Sequence, residues 1–287
     1  NKKIKKGKII TEKDITMKRC EATVNVLSIK NIVGKKINRS INIEEPILKD
    51  MFTNKICATI LVRSESKRLK DKAYLKIENL TLIEHLINRV KKISLIDEII
   101  LCTTKNKSDD NLVKIAKKNN ISYYRGSTKN VLGRIIGATA NKGFDTVLRI
   151  TGDDILIDPT YAEVAIKHHL STNAEYTDHK KLPGGTEVEI FDYQILKKIN
   201  KSIFSNDYTE YLTNYIVDNK SQFKTSSAPV ENKHLTNDDF TIDTLDDFKK
   251  VKSFLEAMAA KNKLFNFEIS DIIKFFGKKK AKIINTS

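Results

Sequence analysis

A chain of 287 residues with 40% apolar content is long enough to bury one large core or two modest ones. No apolar run approaches the roughly 18 residues that a bilayer span requires, and the lysine-dotted start, Asn1 to Lys18, has no signal-peptide hydrophobic core, so a cytoplasmic protein without a membrane partner is expected. The 52 basic residues against 36 acidic ones, a net charge of +16, leave a polyanionic partner as the one functional suggestion in the composition.

Residues 1 to about 50 lack helical periodicity and move through short apolar pieces, Lys8 to Ile10, Ala22 to Ile29, Ile32 to Val33 and Ile41 to Ile43, broken by Gly7, Gly34 and charges. They predict a small all-β module with a boundary near 50 to 54. After Phe52, strand-like runs alternate with amphipathic stretches, the pattern of an α/β domain with a mostly parallel sheet. Ile56 to Val62 predicts a buried first strand, followed by a polar loop to about Lys72. Thr81 stands as an N-cap before the helical spacing of Leu82, Leu86, Ile87, Val90 and Ile93. Ile96 to Thr103, Ser122 to Arg125 and Asp145 to Ile150 read as further strands, with helices over Asp109 to Lys118 and Val131 to Ala140 between them. A helix follows from Pro159 to about Leu170, then a Gly-rich turn at Pro183-Gly184-Gly185, a strand Thr186 to Phe191, helices near 192 to 200 and 207 to 218, and a short strand Asp239 to Asp243. Helices over Leu245 to Ala259 and Ile269 to Phe276 close the domain, and the basic residues 277 to 287 read as a flexible tail. Cys20, Cys57 and Cys102 have no metal-ligand spacing, and the last two lie in apolar runs, so reduced core thiols are expected. His168-His169 is expected on a helix surface, and Tyr123-Tyr124 in strand packing.

The location of the charge narrows its meaning. Residues 1 to 50 hold 13 basic against 6 acidic residues and residues 261 to 287 hold 7 against 2, so the ends carry +12 of the +16. The middle is balanced and lacks aromatics interleaved with basic stretches, which argues against a nucleic-acid partner. Only 8 of the basic residues are Arg, and none follows Arg149. In a lysine-rich chain, Arg is placed where a rigid bidentate fork is needed, and Arg63, Arg68, Arg125, Arg134 and Arg149 are expected to converge on one mouth of the sheet. Loops after the carboxyl ends of parallel strands are where such sheets bind ligands, and residues 63 to 72 and 151 to 155 hold that position.

The first of these loops reads Arg63-Ser64-Glu65-Ser66-Lys67-Arg68-Leu69-Lys70-Asp71-Lys72, whose cations and hydroxyls suit a triphosphate. Asp153, in Thr151-Gly152-Asp153-Asp154, and Asp243, in Thr241-Ile242-Asp243-Thr244-Leu245-Asp246-Asp247-Phe248, each end a short apolar strand. Two hard carboxylates facing a triphosphate are what Mg²⁺ requires. A helix N-cap is the other role open to Asp243.

Residues 55 to about 275 resemble the nucleotide-sugar cytidylyltransferases, in particular the spore-coat polysaccharide branch related to CMP-Kdo and CMP-sialate synthetases. The resemblance is carried by Arg63 to Lys72; Tyr124-Arg125-Gly126-Ser127 with Val131-Leu132-Gly133-Arg134; Arg149 to Asp153 with Leu156-Ile157-Asp158-Pro159; Pro183 to Phe191; Glu210 with Thr213 and Tyr215-Ile216; and Thr241 to Phe248. It implies a Rossmann-like nucleotidyltransferase (GT-A-like) fold, and transfer of CMP from CTP to a sugar-acid hydroxyl with release of pyrophosphate. It further implies Arg63, Ser66, Arg68 and Lys72 on the triphosphate, Arg125 near the nucleotide, Asp153 and Asp243 as ligands of Mg²⁺, and Gly184, Gly185, Glu187 and Glu189 on the acceptor side. Arg63, Lys72 and Asp153 would carry the catalysis, which is positioning and charge neutralisation. A homodimer is expected.

Three departures stand out. Glu65 occupies a family Gly, and a carboxylate beside a triphosphate is repulsive. Lys70-Asp71 replaces Pro-Gly. On the acceptor side Thr209, Tyr211 and Asp239 stand where basic or histidine positions are usual. Residues 1 to 52 resemble, more loosely, the SAF (antifreeze-like) domain at the C-terminus of sialic acid synthases, through Gly7-Lys8-Ile9-Ile10, Asp14 to Arg19, Asn31 to Lys36 and Glu45-Pro46-Ile47. Arg19 matches the residue that in that family reaches a neighbouring subunit's sugar site. A SAF domain at the head of a chain that begins at Asn1 implies an upstream synthase barrel in a longer reading frame. A metal-dependent GT-A-type glycosyltransferase, reading Gly152-Asp153-Asp154 as its acidic motif, and a non-catalytic sugar-nucleotide-binding domain remain as alternatives.

Overall fold

The computed structural model describes residues 3–18, 27, 29–66, 68–202 and 212–284, the side chains of 30, 31 and 278–284 excepted. Arg19, Cys20, Lys67, Thr209, Glu210 and Tyr211 lie outside the described residues.

The sheet is built on β1 (Ile56–Leu61), buried along its whole length. Its side chains alternate between two cores, with Ile56, Ala58 and Ile60 on one face and Cys57 and Leu61 on the other. A small hairpin, β2 (Lys76–Ile77) with β3 (Leu80–Thr81), precedes β4 (Glu98–Thr104), β5 (Ser122–Gly126), β6 (Thr146–Thr151), β7 (Tyr176–Asp178), β8 (Glu189–Asp192) and β9 (Thr225–Ser227). The seven-stranded order is β5-β4-β1-β6-β8-β7-β9. β5, β4, β1 and β6 are parallel, and β8 is antiparallel to both β6 and β7. The chain therefore leaves β1 toward β4 and β5 on one side and returns to β6 on the other, which opens a crevice at the carboxyl ends of β1 and β6.

One face of the sheet is covered by α2 (Leu82–Val90), α3 (Asp110–Lys118) and α5 (Pro159–Ser171) with the helices Leu245–Ala259 and Ile269–Ile284; the other is covered by α4 (Val131–Thr139), α6 (Tyr193–Ser202) and the helix Leu212–Asp218. α1, in the N-terminal module, is the single turn Ile29–Ile32. Thr81 caps α2 in a capping box, its Oγ1 accepting from Glu84 N and its own N–H donating to Glu84 Oε2. The helix from Leu245 is capped by Thr244, which settles the alternative left open for Asp243. The final helix, Ile269–Ile284, takes in the first residues of the basic tail; Lys and Ala are strong helix formers.

The strand expected over Thr186 to Phe191 starts only at Glu189, and the one over Asp239 to Asp243 is a single parallel bridge between Gly184 and Asp239. β7 and β9 carry only three residues each, too short for a periodicity to register. His169 is fully buried, not on the surface, with Nδ1 on Thr177 Oγ1 at 2.9 Å. Cys57 and Cys102 are free and buried, and burial pushes the Cys102 thiol up to about 12. Among the described residues no helix is long and apolar enough to cross a membrane.

The N-terminal module has its own core of Ile4, Ile10, Leu27, Ile32, Ile37, Ile41, Met51 and Phe52. Its pairing consists of the isolated bridges Ile4 to Ile41, Ile9 to Lys36 and Ile37 to Phe52 with short helical turns, rather than continuous ladders. It is tied to the sheet by Lys49, whose N–H donates to Asn173 Oδ1 and whose Nζ donates to Ala174 O and pairs with Asp192, and by Lys35 on Asp145. Asp145 precedes β6 and Asp192 ends the antiparallel β8, so the module docks at the end of the sheet opposite the crevice.

Candidate active site

The register of β1 on β6 pairs Leu61 with Thr151, which brings the loops that follow, Arg63 onward and Gly152-Asp153, to the same height on adjacent strands. Between them lies a cavity of about 370 Å³ lined by Arg63, Ser66, Arg68, Lys72, Arg134, Arg149 and Asp153 among others. A larger open recess of about 540 Å³ lies at the other end of the sheet, where α2 and the helix Leu245–Ala259 end, and holds none of the residues singled out above. Gly152 sits on β1, its N–H donating to Leu61 O at 2.9 Å, and a Cβ there would meet Val62 at 2.8 Å. Only glycine allows that approach.

Lys72 organises the cavity floor. Its Nζ donates to Asp153 Oδ2 at 2.6 Å, Ile242 O at 2.8 Å and Asp243 Oδ1 at 3.2 Å. Arg68 reaches the other oxygen of Asp243 at 2.6 Å from an exposed position. Three oxygens thus already enclose one cation, and such hard donors also suit a divalent metal. Among the described residues no cluster of three or more His, Cys, Asp or Glu side chains is placed to hold a metal. The protein therefore offers two carboxylates and a carbonyl, and a metal here needs substrate oxygens and water to complete its shell.

The departures in the loop have a structural answer. Asp71, where a Gly is usual, takes the left-handed conformation with φ +55°, so the backbone course is kept by a residue type that tolerates it. Glu65 is exposed and its Oε1 accepts from Ser108 Oγ at 3.2 Å, on the turn before α3, but it also lines the cavity, so its charge stays among the cations there.

The five arginines do not all converge. Arg63, Arg68, Arg134 and Arg149 line the cavity, but Arg125 does not. The Arg125 guanidinium is spent on Thr104 O, Asn106 O and Asp110 Oδ1, because Ser122–Gly126 is the edge strand and its end abuts the start of α3. Arg134 is buried on α4 and donates to Ser127 O at 2.8 Å.

Beyond β6 the charge reverses. Arg149 and Glu189 form an ion pair inside the sheet, and Glu189 also accepts from Tyr176 and Thr213. Burial pushes the Glu189 carboxyl up, but Arg149 and the two hydroxyls outweigh it and hold it below the usual range. Its carboxylate is thus held by three partners within the protein. Burial raises the Glu187 carboxyl, with Asp239 and Glu189 adding to it. Asp154, which accepts from Thr151 Oγ1, is held well above the usual range by burial first and then by Asp153 and Glu187. Gly184 and Gly185 form the rim beside Asp239 and Phe240. None of Gly184, Gly185, Glu187 and Glu189 lines the 370 Å³ cavity; they form a second, acidic wall beyond Asp154. Gly185 has φ +81°, and a Cβ there would meet Thr241 N at 2.8 Å. Gly185→Ala is expected to lower stability by about 2 kcal/mol in a denaturant titration, from backbone strain plus contact with rigid backbone. An unchanged midpoint would mean that the rim relaxes freely.

In the sequence, Asp109 reads only as a helix start, Ser64 only as one hydroxyl of the 63 to 72 loop, and Asp154 only as part of the alternative acidic motif. All three carry short polar side chains beside strand ends, and the only signal was the adjacent hydroxyl pair Thr103-Thr104.

Residues 57–272 match the family model described as Cytidylyltransferase, and residues 1–53 match the SAF domain model. The chain is 33% identical to the uncharacterized protein MJ1063 of Methanocaldococcus jannaschii, over 81% of this chain and 95% of that one. It is 26% identical to the spore coat polysaccharide biosynthesis protein SpsF of Bacillus subtilis, over 71% and 87%. The solved structure of a cytidylyltransferase from Leptospira borgpetersenii serovar Hardjo-bovis superposes with a TM-score of 0.73 at 26% identity, covering 79% of this chain and 96% of that one.

Proposed function

Because the chain belongs to the cytidylyltransferase family and is a CTP-using transferase, we propose that it moves CMP from CTP to a hydroxyl of a sugar acid of the nonulosonate type, with release of pyrophosphate, for surface polysaccharide synthesis. The observation that carries this reading is the cation-lined cavity at the carboxyl ends of β1 and β6, with Lys72 poised between Asp153 and Asp243. The spore-coat relative and the match of the 63 to 72 loop to the sugar-acid-activating branch support the acceptor class.

In the reaction, the acceptor hydroxyl gives up its proton to solvent and its oxygen bonds to the α-phosphorus as the bond from that phosphorus to the α,β-bridging oxygen breaks. Negative charge then builds on the non-bridging α-oxygens and on the leaving pyrophosphate. Arg63 and Ser66 hold the triphosphate, and Arg68 and Lys72 neutralise its charge once they turn from Asp243 and Asp153. Asp153 and Asp243 would hold Mg²⁺, which when bound supplies charge neutralisation and a template for the phosphate oxygens. The residues of this chain act by positioning within a partly dehydrated cavity, and no side chain here need form a bond to substrate. Gly184, Gly185 and Glu187 border the acceptor.

Pyrophosphate release from CTP and Mg²⁺ is expected with at least one member of a panel of sugar acids. Measurable CTP binding with no pyrophosphate from any acid would overturn the transferase assignment to that acceptor class.

A further inference from the structure

We propose that Asp109 is a positioning residue that latches the triphosphate loop to the end of β4; the proposal rests on the reading of residues 63 to 72 as the triphosphate clasp.

Asp109 stands immediately before α3 and is 1% exposed. An Asp at a helix start ordinarily accepts from the first free amides of its own helix, yet the Asp109 side chain makes no such bond. It turns away from α3 instead. Oδ1 accepts from Ser64 N at 2.8 Å and Ser64 Oγ at 2.6 Å. Oδ2 accepts from Thr103 Oγ1 at 2.8 Å, Thr104 N at 3.0 Å and Thr104 Oγ1 at 2.5 Å. Five donors occupy the roughly four lone-pair sites of one carboxylate, so nothing is left for a ligand, and only the ionised form accepts from all of them. Among the described residues no lysine or arginine forms an ion pair with it. Among the described residues the buried charge is balanced by these dipoles, a placement that forgoes a helix cap and holds one neighbour of Arg63.

The same turn grips the loop at two further points. Ser108 Oγ donates to Glu65, and Ser108 O accepts from Tyr74 Oη at 3.3 Å. Residues 108 and 109 thus hold both the entry of the loop, at Ser64 and Glu65, and the turn that follows Lys72. The Arg63 and Lys72 side chains extend from a segment held at the Ser64 backbone and, through the Glu65 and Tyr74 side chains, at its two ends, and pre-setting it lowers the ordering cost of binding a triphosphate.

The test uses the full chain with Asp109→Asn and Ser64→Ala. Asn keeps the shape of Asp but turns an NH₂ toward donors; Ala at 64 removes one hydroxyl and leaves the backbone bond. In Asp109→Asn, amide hydrogen exchange over 63 to 72 is expected to rise at least about tenfold while β1 and β6 stay protected, and the CTP KM to rise about tenfold with the acceptor KM unchanged. Ser64→Ala is expected to move both readouts the same way by about threefold. Unchanged exchange at 63 to 72, or equal rises in both KM values alongside a lower Tm, would overturn the latch and leave a purely structural carboxylate. Exchange is read without substrate, so if the wild-type chain binds no CTP the nucleotide reading fails while exchange at 63 to 72 still decides the latch.

Discussion

Asp153→Asn is expected to lower turnover by about a hundredfold or more with the fold intact, to be read as pyrophosphate release beside a thermal melt. Asp153 lies at the rim of the cavity, partly exposed, and no core contact depends on its charge. Lys72 keeps Ile242 O and Asp243 when Asp153 is neutralised, so no buried ammonium is stranded. The change also removes one of the charges that hold the Asp154 carboxyl above its usual range, which favours the native state slightly. In the proposed metal role, what is lost is the negative charge of a hard ligand, which an amide oxygen, although able to ligate, does not supply. Retained turnover would remove Asp153 from the metal-binding role.

Lys72→Met is expected to separate two quantities that normally move together. CTP turnover falls by about a hundredfold, because a cation facing the triphosphate is gone. Affinity for Mn²⁺ in the absence of nucleotide, read by electron paramagnetic resonance, rises about tenfold. The sign follows from the geometry. The ammonium fills a cradle made by Asp153, Ile242 O and Asp243, and a divalent cation needs the same oxygens. With methionine at 72 the two carboxylates are left facing each other, and Arg68 at 69% exposure is too well solvated to compensate. A compact ammonium is also the residue type for this place, since three converging oxygens match its three donors better than a planar fork. Unchanged or weaker Mn²⁺ binding would mean that Lys72 and the metal do not share a site.

Both expectations concern contacts between residues far apart in sequence, which marks where the sequence reading stops. β1, β4 and β6 were legible because strands buried on both faces read as continuous apolar runs. The Thr81 cap was legible because the capping pattern is local. The loop 63 to 72 and the Thr-Gly-Asp turn were legible because ligand loops follow the ends of parallel strands, and their register then places them side by side. Arg125 satisfies the same rule, yet it lies outside the cavity lining. It ends an edge strand, where Asp110 and two carbonyls claim it first. Glu189 fell at the expected place in the chain, but its face of β8 points at Arg149 inside the sheet.

The sequence alone determined the α/β class, the order of the principal elements, the loop that carries the cations and the two aspartates that face it. These follow from burial period, local capping and residue chemistry, which act over a few positions along the chain. Tertiary structure alone decided that Lys72 stands between Asp153 and Asp243, that Asp109 abandons its own helix for Ser64, that Glu189 is committed to Arg149, and that the N-terminal module docks away from the crevice. Each of these is a choice among partners for a charged or hydrogen-bonding group, and which partner arrives first depends on packing between segments 40 to 171 residues apart.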